Sequence, residues 1–289
     1  MARTKPAPWS DALLRVVTLV QSDLAGDLRL SALAAVARLS RAHFQRAFKS
    51  AVGESPTGYV SRVRVERAAF LMRVQRASLL ELALGVGFTN PDTFARSFQR
   101  RFGVAPSVYR RRQAAATLAP APRGDAAGGS TFSLSPTRVV RGREMRVAFV
   151  RHVGPYEEVD PRAWVDLVAW ARARGIERGW CVGIGHDAPG VTAAKDLRFD
   201  AGILVDADVR PHAGVGVQVL PPVHYALTTH VGPYSTLTEA YPQILARSLA
   251  IRGHRLVGLP AVEIYHDATV DLARPLSVTD VLLPMLRGE

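Results

Sequence analysis

Cysteine is nearly missing: Cys181 stands alone among 289 residues. A single thiol excludes an intramolecular disulfide framework and any zinc site built on several thiolates. No apolar run reaches the roughly 18 residues that a membrane-spanning helix needs. The opening Met-Ala-Arg-Thr-Lys-Pro lacks the apolar segment of a secretory signal. A cytoplasmic protein with no membrane partner is the expectation. There is no nucleophile elbow, no glycine-rich phosphate loop and no cluster of metal ligands, so neither cofactor, metal nor enzyme is expected. Acidic residues are scarce in one region only. Residues 1–112 hold 7 Asp/Glu against 19 Lys/Arg, and residues 113–289 hold 18 of each, so the whole formal charge of +12 belongs to the first region. A basic excess confined to one part of a chain suits a domain that meets phosphates.

What is present there is an amphipathic helix. Ser40 can cap it, and Phe44, Ala47, Phe48 and Ala51 recur at helical spacing along one face. Arg41, Gln45, Arg46 and Lys49 supply the other face. Gly53 can end the helix, and Pro56 can open the next. The phrase then returns. Phe44, Arg46, Phe48, Gly53, Pro56 and Tyr59 reappear 50 positions later as Phe94, Arg96, Phe98, Gly103, Pro106 and Tyr109. Upstream the offset is 49, with Leu33-Ala34 matched by Leu82-Ala83 and Ser40 by Thr89, so one residue has been added in the second turn. Matches held in one frame mark an internal repeat, here two copies of a small unit that can lay a helix in a DNA groove.

The remaining helices follow from the same signals. Ser10 can cap a helix over 10–25 with Leu13, Leu14, Val17 and Val20 inward. Ser31 is a cap candidate for a short helix over 32–38. A longer helix over 57–73 has Tyr59, Val60, Val63 and Phe70 for its buried side. Its Arg62, Arg64, Arg67 and Arg73 are expected to load the solvent side with charge. Ser78 can cap a helix over 79–85, and Asn90 or Thr89 one over 91–102. Arg110-Arg111-Arg112 forms a basic tail that can lie along phosphates.

These residues resemble the AraC/XylS family of bacterial transcription regulators. The family signature is met by Gly87-Phe88, Phe94, Arg96, Phe98, Phe102-Gly103, Pro106 and Tyr109-Arg110. The first copy meets it through Leu33-Ala34, Leu39-Ser40, His43-Phe44, Arg46, Phe48-Lys49, Gly53, Ser55-Pro56 and Tyr59. The resemblance covers about residues 10–112. It implies seven helices, with two recognition helices entering successive segments of the major groove of double-stranded DNA. Carried over by position, the base-reading candidates are Arg41, Ala42, Gln45 and Arg46 in the first helix. Those of the second are Asn90, Asp92, Thr93 and Arg96. Gln can pair bidentately with adenine and Arg with guanine, while Ala42 offers at most a methyl contact. Ion pairing inside the fold is the other reading for Arg46 and Arg96. Lys49, Arg100, Arg110 and Arg111 are phosphate candidates. Ala42 and Asp92 make the two helices chemically unequal, so an asymmetric target is expected. Two heads in one chain permit a monomer on such a site, and monomer and homodimer both stay open.

Residues 113–131 are small and rich in Pro and Gly, as a linker is. They separate a domain over 10–112 from one over 132–286. The second domain carries its own repeat. Arg151-His-Val-Gly-Pro-Tyr156 returns as Thr229-His-Val-Gly-Pro-Tyr234 at an offset of 78. Strands precede the phrase at 145–150 and 224–229, and helices follow it near 160–174 and 236–252. Further strand signals lie at 181–185, 202–208, 215–220, 261–266 and 277–283. The fold class is therefore an all-α double helix-turn-helix domain followed by an α+β domain of duplicated strand-helix-strand-strand units. Tyr156 and Tyr234 take related positions, either as core residues or as the walls of a pocket between halves.

The second domain resembles the GyrI-like small-molecule-binding domain. The phrases are His152-Val-Gly-Pro-Tyr156, Val182-Gly-Ile-Gly-His-Asp-Ala-Pro189, Arg198-Phe-Asp200, His230-Val-Gly-Pro-Tyr234 and Val262-Glu-Ile-Tyr265 with Asp267. That resemblance implies a cleft for a cationic or amphipathic organic effector, with Glu263 facing it and Tyr156, Trp180 and Tyr234 around it. A carboxylate among ring faces in a desolvated cleft attracts a cation; a solvated strand residue is the other reading of Glu263. Two departures stand out, Gly185-His186 where aromatics are common and the apolar Val278-Thr-Asp-Val-Leu-Leu-Pro284. The expected function is a one-component transcription regulator sensing a small molecule, with RNA polymerase as a further partner open to it. A small-molecule hydrolase using Glu263, and a protein-interaction module, are the alternatives.

Overall fold

The computed structural model describes residues 10–118, 132–176, 179–206, 209–267 and 276–288. They fall into two compact units, one of residues 1–116 with 211–216 and the other of residues 117–210 with 217–289.

The first unit is helical: α1 (Asp11–Ser22), α2 (Leu30–Ala37), α3 (Arg41–Val52), α4 (Pro56–Val74), α5 (Leu79–Gly85), α6 (Pro91–Phe102) and α7 (Pro106–Leu118). Local chemistry starts most of them. The side chains of Ser10, Ser40 and Ser55 accept backbone N–H groups at the starts of α1, α3 and α4. Ser78 and Glu81 form a complete capping box on α5, and Asn90 caps α6. Each such cap contributes about 1 kcal/mol. α2 differs from these. It begins at Leu30, ahead of the expected Ser31 cap, and has no side-chain cap. The turn before it is held instead by Asp27, whose carboxylate accepts the Arg29 N–H at 3.2 Å and its guanidinium at 2.6 and 2.8 Å.

The repeat is visible in the core. Phe44, Phe48 and Tyr59 pack edge to face in the first copy. Phe94, Phe98 and Tyr109 do so in the second, with Phe88 added. The two turns differ, as the one-residue offset requires. The first passes through Arg38 in the left-handed region (φ 57°), and the second through Gly87 (φ 91°). A Cβ at Gly87 would collide with the Leu24 carbonyl and the Arg64 guanidinium, so no side chain fits there.

Two expectations are corrected here. The arginines of α4 are not a solvated face: Arg67 is buried, Arg62 and Arg64 are half-buried, and Arg73 is exposed. The planar heads of Arg62 and Arg64 reach carboxylates and carbonyls. Arg64 Nε, for example, donates to Leu24 O at 2.9 Å, and its guanidinium lies 5.9 Å from the Phe88 ring centre. The segment 113–131 is not linker from its first residue, because α7 runs on to Leu118. Ala114, Ala115 and Ala116 favour helix. The rest of that expected linker, 119–131, lies outside the described residues.

Among the described residues, the second unit holds one ten-stranded sheet and two α-helices. Its strands are β1 (Ser133–Leu134), β2 (Arg138–Arg141), β3 (Met145–Val153), β4 (Cys181–Gly185), β5 (Arg198–Leu204), β6 (Gly216–Leu220), β7 (His224–Gly232), β8 (His254–Leu256), β9 (Ala261–Tyr265) and β10 (Ser277–Arg287). Helix α8 is Arg162–Arg172 and α9 is Leu237–Leu249. The short β1, β2 and β8 escaped the sequence reading because they are too brief to show alternation. The order β1-β7-β10-β9-β4-β5-β3-β6 puts β7-β10-β9 beside β4-β5-β3. The strand-helix-strand-strand halves thus meet at the β9–β4 pair. Cys181 lies opposite Tyr265, Gly183 opposite Glu263 and Gly185 opposite Ala261. An offset of 80 converts Cys181, Gly183 and Gly185 into Ala261, Glu263 and Tyr265, so the Gly183–Glu263 pair sits on the pseudo-twofold axis of the sheet.

Candidate functional site

In the first unit α2 with α3, and α5 with α6, form two helix pairs that α4 joins. The anchors of α3 are Phe44 and Phe48, and those of α6 are Phe94 and Phe98; all four are buried. That inward stripe turns Arg41, Ala42, Gln45 and Arg46 outward on α3, and Asp92, Thr93 and Arg96 outward on α6; each is exposed, as is Asn90. Lys49, Arg100 and Arg111 are exposed too. Asn90 is constrained further. Its amide oxygen accepts from the N–H groups of Asp92 at 2.8 Å and Thr93 at 3.3 Å, which leaves its amide N–H groups for any outside partner. Arg96 donates to Thr93 Oγ1 at 3.3 Å. Arg110 stands apart from the other phosphate candidates. It is half-buried, with Nε and Nη2 enclosed and without a hydrogen-bond partner, and burial lowers its pKa.

In the second unit β9 presents Glu263 and Tyr265 to one face of the sheet, because alternate residues share a face. Glu263 is buried, and both its oxygens accept tyrosine hydroxyls: Tyr241 of α9 at 2.6 Å and Tyr265 at 2.5 Å. Burial pushes the Glu263 carboxyl up, opposed by those two donors. Burial and the neighbouring carboxylate push both tyrosine hydroxyls well up, so they stay protonated donors. Aromatic rings continue from there. Tyr265 meets Tyr234 at 5.4 Å and Trp164 at 5.6 Å, Trp164 meets Phe199 at 6.2 Å, and Phe199 meets Tyr156 at 5.6 Å. Trp164 is held by its indole N–H, which donates to Val182 O at 3.0 Å. Room over the carboxylate is made by Gly183, where an added Cβ would collide with Tyr265 and Phe199 and stand 3.2 Å from Glu263 Oε2.

Of the four sequence candidates, Tyr156, Tyr234 and Glu263 belong to this one chain of rings. Trp180 does not. It is half exposed, and its ring contacts His266 at 5.1 Å. Sequence reading missed Tyr241, Tyr265, Trp164, Phe199 and Gly183 as members of the site. One signal was available: His186-Asp187-Ala188 recurs as His266-Asp267-Ala268 at the same offset of 80. The equivalence holds in space. Tyr156 donates to the Asp187 carbonyl at 2.8 Å, and Tyr234 to the Asp267 carboxylate at 2.8 Å. His186 contacts Asp200 at 2.7 Å, and His266 contacts Asp280 at 3.0 Å.

The histidines of the repeated phrase are braces. His152 Nε2 contacts Pro155 O at 3.0 Å. In the second copy Thr236 Oγ1 donates to Pro233 O at 2.7 Å, so the 2.9 Å contact to His230 Nε2 has the ring N–H as donor. On the opposite face of the first half, Arg151 grips Asp200 through Nε and Nη2, each at 2.6 Å. His186 and Gln218 each complete that buried carboxylate at 2.7 Å. Among the described residues, no group of three His, Cys, Asp or Glu is placed to hold a metal ion, and no helix is long and apolar enough to cross a membrane.

Fold and site define a class by architecture: a domain with two helix-turn-helix pairs in one chain with a duplicated α+β domain. A family model described as helix-turn-helix domain matches residues 33–112. The GyrI-like small molecule binding domain matches residues 136–286, more than half of the chain, and the chain belongs to that family. Similar curated proteins include the HTH-type transcriptional regulator MtrA of Neisseria gonorrhoeae, 35% identical over 36% of this chain and 35% of that one. Another is the Right origin-binding protein of Escherichia coli K12, 34% identical over 29% of each. The chain spans about a third of the length of the curated relatives it matches. Among solved structures, the DNA-binding domain of AdpA in complex with a target DNA is 33% identical. It has a TM-score of 0.36 and covers 37% of this chain and 96% of that one. The EcmrR C-terminal domain is 18% identical, with a TM-score of 0.41, over 54% of this chain and 99% of that one.

Proposed function

We propose that the chain is a one-component transcription regulator of the AraC/XylS type, with DNA reading in residues 10–112 and sensing of a small cationic or amphipathic organic molecule in residues 132–286. One observation carries the ligand class: a single buried carboxylate, Glu263, ringed by tyrosine hydroxyls and aromatic faces. Such a site favours one positive charge on a flat apolar body, since ring faces and a desolvated carboxylate both attract a cation. The symmetry-related position holds glycine, so the site offers one carboxylate on the axis rather than two. Tyr241 and Tyr265 satisfy Glu263, and an arriving cation competes with them.

The DNA reading is supported by the exposed faces of α3 and α6. At about 1.5 Å per residue the 19-residue α4 is about 28 Å long. That is close to the roughly 34 Å between successive major-groove segments on one face of DNA. The test has two arms. Binding of paired cationic and neutral aromatic compounds is titrated calorimetrically on the intact protein, and bound genomic DNA is selected with and without the best ligand. Cation-selective binding that Glu263→Gln removes, and recovery of promoter-proximal sites, are the expected results. Equal binding of neutral isosteres overturns the ligand class, and recovery of no preferred sequence overturns the regulator reading.

A further inference from the structure

We infer that Glu66 is a positioning residue that fixes the spacing between the two recognition helices, and so the half-site spacing the protein accepts on DNA. The inference rests on the two-headed DNA reading above. Glu66 lies near the middle of α4 and is 3% exposed. A carboxylate this deep requires charged or hydrogen-bonding partners. Arg101 of α6 and Arg62 of α4 itself are two of them. Arg101, on the last turn of α6, places Nη2 2.6 Å from Glu66 Oε1. Arg62, one turn before Glu66 on α4, places Nη1 3.1 Å from Oε2.

Arg62 passes the connection to the first head. Its Nη2 stands 2.7 Å from Glu54 Oε1 and its Nε donates to the same oxygen at 2.8 Å. Glu54 directly follows Gly53, the residue that ends α3. Arg62 is also held over the Tyr59 ring at 5.3 Å, and Tyr59 packs on Phe48 of α3. One line of charge therefore runs from the end of α3, through Glu54, Arg62 and Glu66, to Arg101 at the end of α6. Planar arginine forks define geometry as well as energy. Apolar contacts alone allow helices to slide by fractions of a turn, whereas an enclosed ion-pair chain has few alternatives. Buried ionic groups are best attested as devices that fix register.

There is a second reason for Glu66 to hold Arg101. Next to the exposed Arg100, an unheld Arg101 is one more mobile cation at the end of a recognition helix, free to take any nearby phosphate. Pairing it inside the fold keeps phosphate contact from setting the helix position.

The experiment uses the full chain and a duplex selected from a random library by the wild-type protein. Variants of that duplex carry one base pair more or fewer between the half-sites, and a further duplex keeps one half-site only. One added base pair rotates a half-site by about 36° and shifts it by about 3.4 Å. Wild type should lose about tenfold in affinity for either change, because a misplaced second site forfeits the gain of bivalent binding. Glu66→Gln and, as the milder change at a partly exposed partner, Arg101→Gln should lose no more than about threefold, with half-site affinity kept. Thermal unfolding shows that each variant is folded. An unchanged spacing profile in folded Arg101→Gln overturns the positioning role, as does an equal loss on half-site and full duplexes. A wild-type protein that binds the half-site as tightly as the full duplex overturns the two-headed reading and the brace together.

Discussion

Glu263 and Gly183 face each other across β9 and β4 on the pseudo-twofold axis, and the carboxylate occupies space that only glycine leaves open. Duplication gave two equivalent positions on the axis, and a side chain at one excludes a side chain at the other. The site is therefore one-sided within a nearly symmetric frame. Gly183→Ala is expected to force Tyr265 and Phe199 apart. It should destabilise the second unit by about 1–3 kcal/mol through overpacking and weaken ligand binding at least tenfold. Urea unfolding and calorimetric titration check the two effects. Unchanged affinity with a normal unfolding midpoint would show that the ring cluster repacks freely.

Glu263 links ligand binding to pH. Its folded-state pKa is raised above the ordinary 4.5 by burial. Its contribution to stability is then full below that ordinary value and is lost as pH rises through the folded value. Affinity for a permanently charged cation runs the other way, increasing as the carboxyl ionises over the same range. Glu263→Gln should flatten both profiles. A cation titration repeated from pH 4 to 8 on both proteins is the check, and parallel profiles would remove Glu263 from the coupling.

Much of this site was legible in the sequence, and the missing part has a physical cause. The repeated His-Val-Gly-Pro-Tyr phrase and Glu263 were visible because each lies in a local motif. Tyr241 stands in no such motif. That its hydroxyl meets Glu263 depends on how α9 lies across the sheet, and no local pattern encodes that. Gly183 gains its meaning only from the residue across the strand pair. The opposite failure occurred on α4. Charge at helical spacing suggested a wet face for Arg62 and Arg64, yet their partners Glu54, Glu66 and the Leu24 carbonyl lie on other turns and loops. Exposure of arginine is a property of what surrounds it. The exposed faces of α3 and α6 were legible because two buried phenylalanines per helix fix the rotation.

Asp200 and His186 should give the second unit an acid-sensitive limb. Burial alone would raise Asp200, but Arg151 and then His186 hold it well below its ordinary 3.8. Burial holds His186 down to about 4, from an ordinary 6.5. For both groups the folded value is depressed. Their stabilisation is present above the ordinary values and is lost as pH falls, first for His186 between 6.5 and about 4 and then for Asp200 below 3.8. His186→Gln should remove the first limb. Asp200→Asn leaves the buried Arg151 without its anion and should cost about 3–5 kcal/mol at neutral pH. Denaturant unfolding at pH 7, 5.5 and 4.5 tests both, and a pH-independent wild-type midpoint would contradict the assignment.

Arg96 and Arg100 sit one turn apart on α6, both exposed, and they should fail differently. Arg96 lies one turn after Asp92 near the start of the helix, where side chains of a recognition helix reach base edges. Arg100 lies in the last turn, which suits it to a phosphate contact rather than a base edge. Arg96→Ala should weaken the selected site by about 1–3 kcal/mol while leaving scrambled DNA almost unchanged. Arg100→Ala should weaken both alike and reduce the slope of log affinity against log salt by about one unit. Binding is measured on selected and scrambled duplexes at several salt concentrations. If Arg96→Ala lowers both affinities equally and flattens the salt slope, Arg96 is a phosphate contact, and base reading on α6 shifts to Asp92 and Thr93.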